Sequence, residues 1–318
     1  MPDWWSRATV VQKFDELTTK HPTLIKKETV GKSHLGSDVP MYRIGTNTAV
    51  KILWDGCIHG YSAWSSHTLY NLAKWLLEDN STEAKSALRR LQTIIVPMMN
   101  YDKYAVARKN ANGVDLNRNF VSGWGTSGSG DPASEYYRGV SAASEKETQF
   151  MRTLYNKEKP KVYFNLHVYG GSEELRGSIM KLGYTGTAHV NKATEIINKF
   201  KQLCTQHSIL IPYCSSSYSS PSAYAVNDCY SLAGSYCFLF EQSGVDNPTL
   251  EDVNGFMSTR LQLLEIAVDE LFGVEPPTPE EVLSANIGAT FGLIIIIPYI
   301  TTYSREVIRQ WKKQTYRT

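Results

Sequence analysis

The chain has 318 residues, 42% hydrophobic and 20% charged, a balance that excludes general disorder and leaves ample length for a buried core. A net charge of +2 gives no bulk case for nucleic-acid binding. Five cysteines (Cys57, Cys204, Cys214, Cys229, Cys237) without CxxC spacing argue against a disulfide scaffold and a cysteine-rich metal site, although one bridge, Cys204–Cys214 or Cys229–Cys237, stays open.

The opening Met1-Pro-Asp-Trp-Trp-Ser-Arg7 lacks the apolar run of a signal peptide. Val10, Val11, Phe14 and Leu17 recur at helical spacing and predict a helix over 8–20. Val50–Trp54 reads as a buried strand ending at Asp55-Gly56, followed by a helix from Ala63 to Glu78. Thr93–Met99 is a second buried strand, with Pro97 tolerable near its end. The segment 121–132 is rich in Gly and Ser and reads as a mobile surface connection. Ser144 and Glu147 have capping-box spacing at the start of a helix reaching Lys157. Lys161–His167 is a strand and Thr187–His207 a long helix. Ile209–Tyr213 and Tyr236–Phe240 are further strands, and a helix runs from Asn247-Pro248 to Leu271. Strands alternating with helices, several of them uniformly apolar, predict an α/β fold with helices on both faces of the sheet.

Val274–Glu281 breaks this pattern with three prolines, giving a linker over 274–284. Residues 285–303 carry no charge and centre on Leu293–Ile297. At helical rise they reach roughly 28 Å, close to a bilayer's hydrocarbon thickness, which predicts a transmembrane helix. Arg305, Arg309, Lys312, Lys313 and Arg317 follow in a basic tail over 304–318. By the positive-inside rule this tail lies in the cytoplasm and the preceding domain outside.

Four clues carry chemistry. His59, in Asp55-Gly-Cys-Ile-His-Gly60, leaves a strand at the end where open α/β sheets place their sites. Alone it reads as a hydrogen-bonded histidine at a strand exit. His167 ends a second apolar strand, and two strand-end imidazoles suit one Zn²⁺. Arg108, Asp115, Asn117 and Arg118 cluster around Gly113-Val-Asp-Leu-Asn-Arg-Asn-Phe120, where guanidinium and amide donors suit a carboxylate. Glu241 follows Tyr-Cys-Phe-Leu-Phe in a buried strand, where an unpaired carboxylate is costly, and is a candidate general base.

These phrases, with Tyr137-Arg-Gly, Ser144-Glu-Lys-Glu-Thr and Asn165-Leu-His-Val-Tyr, resemble the metallocarboxypeptidase family that includes carboxypeptidases A and B, in matching order over residues 8–273. The resemblance implies a mixed, mainly parallel sheet in an α/β/α sandwich and one zinc ion held by His59 and His167. Asp115 would set the His59 tautomer, and Arg108 would stabilise the oxyanion. Asn117 and Arg118 would grip the terminal carboxylate of a peptide, and Glu241 would act as base. Tyr218, with Tyr224 as the alternative, would close over substrate from a mobile loop. Asn227 would set side-chain preference; being uncharged, it does not indicate Lys or Arg substrates.

The family's first histidine belongs to His-x-x-Glu, and its glutamate is the third zinc ligand. Here the segment reads His59-Gly-Tyr-Ser62, with serine at that position and no carboxylate among the residues that follow. His67 lies two helical turns on, roughly 12 Å by rise. A natural inactive relative, an altered position and a compensating group all stay open. So do three functions: a zinc carboxypeptidase, a non-catalytic membrane-tethered module binding peptide C-termini, and a deacylase-like amide hydrolase.

Overall fold

The computed structural model describes residues 5–45, 50–169, 178–182, 187–208, 214–218, 224–243 and 250–273. The first half begins with α1 (Arg7–Lys20), the hairpin strands β1 (Ile25–Lys32) and β2 (Asp38–Ile44), and β3 (Val50–Asp55). It continues through α2 (Trp64–Glu78), α3 (Thr82–Arg90), β4 (Leu91–Val96) and a 3₁₀ turn at Leu116–Arg118. Then come α4 (Lys146–Glu158), β5 (Val162–Tyr169), β6 (Ser178–Leu182), α5 (Thr187–Gln206), β7 (Cys214–Tyr218), α6 (Ala225–Ala233), β8 (Tyr236–Ser243) and α7 (Leu250–Phe272).

Local chemistry sets the ends of these elements. Ser6 caps α1 by accepting from the Thr9 N–H at 3.1 Å, and Val10, Phe14 and Leu17 form the stripe it buries. Ser81 caps α3 through the Ala84 N–H, although only Ala84 and Ala87 on that helix are buried. Helix α6 stops at Gly234, whose φ of 67° suits a residue without a Cβ.

The eight strands form one mixed sheet in the order β1-β2-β4-β3-β5-β8-β6-β7. Its middle, β4-β3-β5-β8, is parallel, while β1, β2 and the β6–β8 pairing are antiparallel. Parallel strands carry apolar runs because helices cover both faces. On one face Trp54, Phe164 and Phe238 stack across β3, β5 and β8, and the Trp54 indole donates to Glu265 of α7 at 2.9 Å. On the other face Tyr163 of β5 meets Tyr155 of α4 at 3.0 Å. Side chains alternate along a strand, so the register pairs Asp55↔Asn165 and His167↔Glu241 place Asp55, Asn165, His167 and Glu241 on this second face.

Several expectations change. The expected capping box is absent: α4 starts after Glu145, Ser144 donates to the Glu145 carboxylate, and Glu147 accepts from the His34 N–H and the Asn110 amide. Neither proposed disulfide forms: Cys204, Cys229 and Cys237 are thiols, and Cys229 and Cys237 donate to oxygens of Ser235. Strand β4 ends at Val96, one residue before Pro97. The expected strand at 209–213 lies outside the described residues, and the strand found nearby is β7 at Cys214–Tyr218. The segment 121–132 is irregular, with Ser122 N–H donating to Asp228 and the Trp124 indole donating to Arg138 O, as a surface connection should be.

Met1–Gly273 form one compact unit. The linker, apolar helix and basic tail expected over 274–318 lie outside the described residues. Among the described residues, no helix is long and apolar enough to cross a membrane.

Candidate metal centre and carboxylate pocket

The turn after β3 is built to hold His59. Cys57 sits at φ 57°, uncommon for a residue with a side chain, and its N–H is held by Ser65 Oγ at 2.7 Å. Gly60 has to be glycine: an added Cβ would lie 2.1 Å from Lys103 O and 2.4 Å from Ala107 O. The 103–107 loop closes onto it through the Ala105 N–H, which donates to Gly60 O at 2.7 Å.

His59 is 4% exposed, and its Nε2 meets Asp115 Oδ1 at 3.0 Å. A carboxylate only accepts, so Nε2 carries the proton and Nδ1 keeps the lone pair. Asp115 also accepts from the Asn117 N–H at 3.0 Å and from Arg108 Nε and Nη2 at 3.0 and 2.7 Å. Burial works to raise the Asp115 carboxyl, but His59, Arg108 and Arg118 outweigh it and hold the group well below the usual carboxylate range. Burial likewise lowers both histidines, keeping the imidazoles neutral near pH 7, the form that ligates metal.

His167 is 3% exposed, and its ring centroid lies 5.0 Å from that of His59, with the planes at 75°. A Zn–N bond of about 2.0–2.1 Å puts each centroid roughly 3 Å from a shared ion, and at the tetrahedral angle two such rings sit roughly 5 Å apart. The two rings therefore fit one divalent cation. Ser62 is fully buried, and its Oγ has no partner among the described residues. Among the described residues the donor set is thus two neutral imidazoles and, at most, one neutral hydroxyl. Among the described residues no group of three His, Cys, Asp or Glu converges on a point. His67 is no substitute; it is buried elsewhere, stacked on Trp5 at 4.0 Å.

Glu241 stands opposite His167 in the β5–β8 register. Its Oε2 is buried without a partner among the described residues, and burial, offset in part by Arg108, pushes its pKa up to about 7. Arg108 is boxed in further: Nη1 donates to the Tyr61 hydroxyl at 3.0 Å, and the guanidinium lies 4.9 Å from the Tyr136 ring centroid. Arg118 lies between Tyr136 and Tyr224, at 5.7 and 4.9 Å from their ring centroids, and donates through Nη1 to Asn117 O at 2.9 Å. Asn117 is 2% exposed; its Oδ1 accepts from the Ala225 N–H at 3.0 Å, and its Nδ2 lies 3.4 Å from His167 Nε2.

Tyr218, expected in a loop, is instead the last residue of β7, paired with Leu182; its side chain lies outside the described residues. Tyr224, the alternative, is one of the two tyrosines against Arg118, at 4.9 Å. Asn227 occupies the first turn of α6, whose leading N–H meets Asn117. Sequence reading missed Tyr61, Tyr136, Tyr163 and Asn165. For the last two a signal existed, because Tyr163, Asn165 and His167 are polar at every second position of an otherwise apolar strand.

The sequence profile of a family described as zinc carboxypeptidase matches residues 10–237. Carboxypeptidase B of Bos taurus is 25% identical over 187 residues, covering 51% of this chain and 44% of that protein. The inactive metallocarboxypeptidase ecm14 of Talaromyces marneffei is 26% identical over 192 residues, covering 50% of this chain and 32% of that protein. The matches thus span less than half the length of these curated relatives. The crystal structure of thrombin activatable fibrinolysis inhibitor superposes with a TM-score of 0.71 at 18% identity, over 85% of this chain and 77% of that one, a likeness of fold.

Proposed function

The chain belongs to the zinc carboxypeptidase family, and on that premise we propose that it cleaves the C-terminal peptide bond of peptides and proteins, with Ser62 limiting its hold on zinc. The observation that carries this reading is the pair of neutral imidazoles 5.0 Å apart beside Glu241, whose Oε2 is buried without a partner among the described residues. His59 and His167 would hold the ion through Nδ1. Bound zinc would supply a Lewis acid for the scissile carbonyl.

The chain's own residues supply the rest. Arg118, clamped between two rings, takes the substrate's terminal carboxylate, with Asn117 beside it. Arg108 supplies positive charge for the oxygen that becomes negative as water adds to the carbonyl. Glu241, with a pKa of about 7, accepts a proton from the attacking water at neutral pH and returns it to the departing amine. Tyr224 or Tyr218 would cover the bound end, and Asn227 would face its side chain. Asp115 fixes the His59 proton at Nε2.

Ser62 favours a second reading, a module that binds peptide C-termini without cleaving them. Zinc content and release of C-terminal amino acids from model peptides, measured for this chain and for Ser62→Glu, separate the two. Cleavage by both forms supports the enzyme, cleavage by Ser62→Glu alone supports the binding module, and cleavage by neither removes the enzyme reading. We further propose that 285–303 anchors the chain in a membrane, given its uncharged length and basic flank.

A further inference from the structure

A line of buried polar groups runs beneath His167. The Tyr155 hydroxyl meets that of Tyr163 at 3.0 Å, and Tyr163 donates to Asp55 Oδ2 at 2.8 Å. Asn165 Nδ2 donates to Asp55 Oδ1 at 2.7 Å, and Asn165 Oδ1 lies 2.5 Å from His167 Nε2. All five side chains are buried, so solvent offers no alternative partner. The register pair Asp55↔Asn165, with His167 two residues further along β5, places these groups on one face of adjacent parallel strands.

We propose that Asn165 is a positioning residue: anchored by Asp55, it fixes the His167 proton on Nε2 and leaves Nδ1 as the ring's lone-pair donor for a divalent cation. Burial pushes the Asp55 pKa up to about 7, so above that pH it is a carboxylate that only accepts, from Tyr163 and from Asn165, and Asn165 turns its NH₂ toward Asp55 and its carbonyl toward His167. A carbonyl also only accepts, so the facing Nε2 must donate. Among the described residues Nε2 has one competitor, the Asn117 amide at 3.4 Å, whose orientation is fixed because its Oδ1 accepts from the Ala225 N–H. That amide presents N–H and asks for the opposite tautomer. At 3.4 Å against 2.5 Å it loses, because 3.4 Å is at the outer edge of hydrogen bonding. His167 thereby matches His59, whose Nε2 proton is held by Asp115. The two strand-end rings then offer the same nitrogen, and the metal arm of this inference rests on the proposed zinc site.

The test uses the full chain labelled with ¹⁵N-histidine, stripped of metal and assigned with His167→Ala. The expected long-range ¹H–¹⁵N pattern is that of an Nε2-protonated ring. In Asn165→Leu, among the described residues, the Asn117 amide still faces Nε2. The ring should then move to the Nδ1-protonated form, and affinity for Zn²⁺ or Co²⁺ should fall about 10–100-fold. An Nδ1-protonated ring in the native chain overturns the proposal. So does an Asn165→Leu protein that loses stability while its tautomer is unchanged. If Asn165→Leu does not fold, the native spectrum decides alone. If the tautomer is as expected and no variant or native form binds metal, the positioning role stands and the zinc reading falls.

Discussion

Replacing Ser62 by glutamate should raise zinc affinity by about two decades while weakening the metal-free protein. Ser62 is fully buried, and its hydroxyl has no partner among the described residues. Roughly 10–16 kcal/mol of zinc binding shared among four ligands gives about 3 kcal/mol for one, or about a hundredfold in affinity. The native hydroxyl contributes little of this, being neutral and already short of a hydrogen bond worth about 1 kcal/mol. Without metal, the introduced carboxylate sits buried with no cation assigned to it, because Arg108 is committed to Asp115 and Tyr61. Either its pKa rises or the fold loses about 2–4 kcal/mol. Chelator competition should therefore show a far lower zinc Kd for Ser62→Glu. Thermal melts should show a variant less stable than the native chain in EDTA and more stable in zinc. Equal zinc affinity in the two proteins would refute the reasoning, since Ser62 would then not mark the missing ligand.

Glu241→Gln should abolish peptide cleavage while leaving zinc content intact. In the native chain kcat should rise through about pH 7 as Glu241 ionises, measured as rate against pH on one peptide. Glu265, whose pKa burial pushes up to about 7, binds its proton more tightly folded than unfolded. It therefore costs stability as pH rises from about 4.5 to 7, by about 3 kcal/mol in full. Glu265→Gln keeps an acceptor for Trp54 and Thr93 and should flatten that part of the stability–pH curve, read by urea denaturation at pH 5 and pH 8. Arg118→Ala should raise KM for peptides at least tenfold and leave binding of C-terminally amidated peptides unchanged. Removing residues 282–318 should move the chain from the membrane to the soluble fraction on centrifugation.

The strands that carry the site were legible because burial on both faces writes them as apolar runs: Val50–Trp54, Val162–His167 and Tyr236–Phe240. The hairpin β1–β2 was not, since Ile25–Lys32 has one buried residue and β2 contains Pro40. Helix α3 escaped because its buried side chains are alanines, too small to mark a periodic stripe. At the site, His59, His167 and Glu241 were visible as polar residues ending apolar strands. Asn165 showed only as a polar residue alternating with Tyr163 and His167; its role was not legible, because it depends on Asp55, a neighbour only through sheet register, and strand pairing is not written in local sequence. Tyr61 and Tyr136, which flank Arg108, were hidden for the same reason: they meet it only after the chain folds.

The central claim is that His59 and His167 hold one metal ion between them. Anomalous diffraction at the zinc edge from crystals soaked in zinc tests it directly. The account predicts a single peak about 2.0–2.1 Å from Nδ1 of both rings. A peak bound to one ring alone, or none between them at saturating zinc, would contradict it.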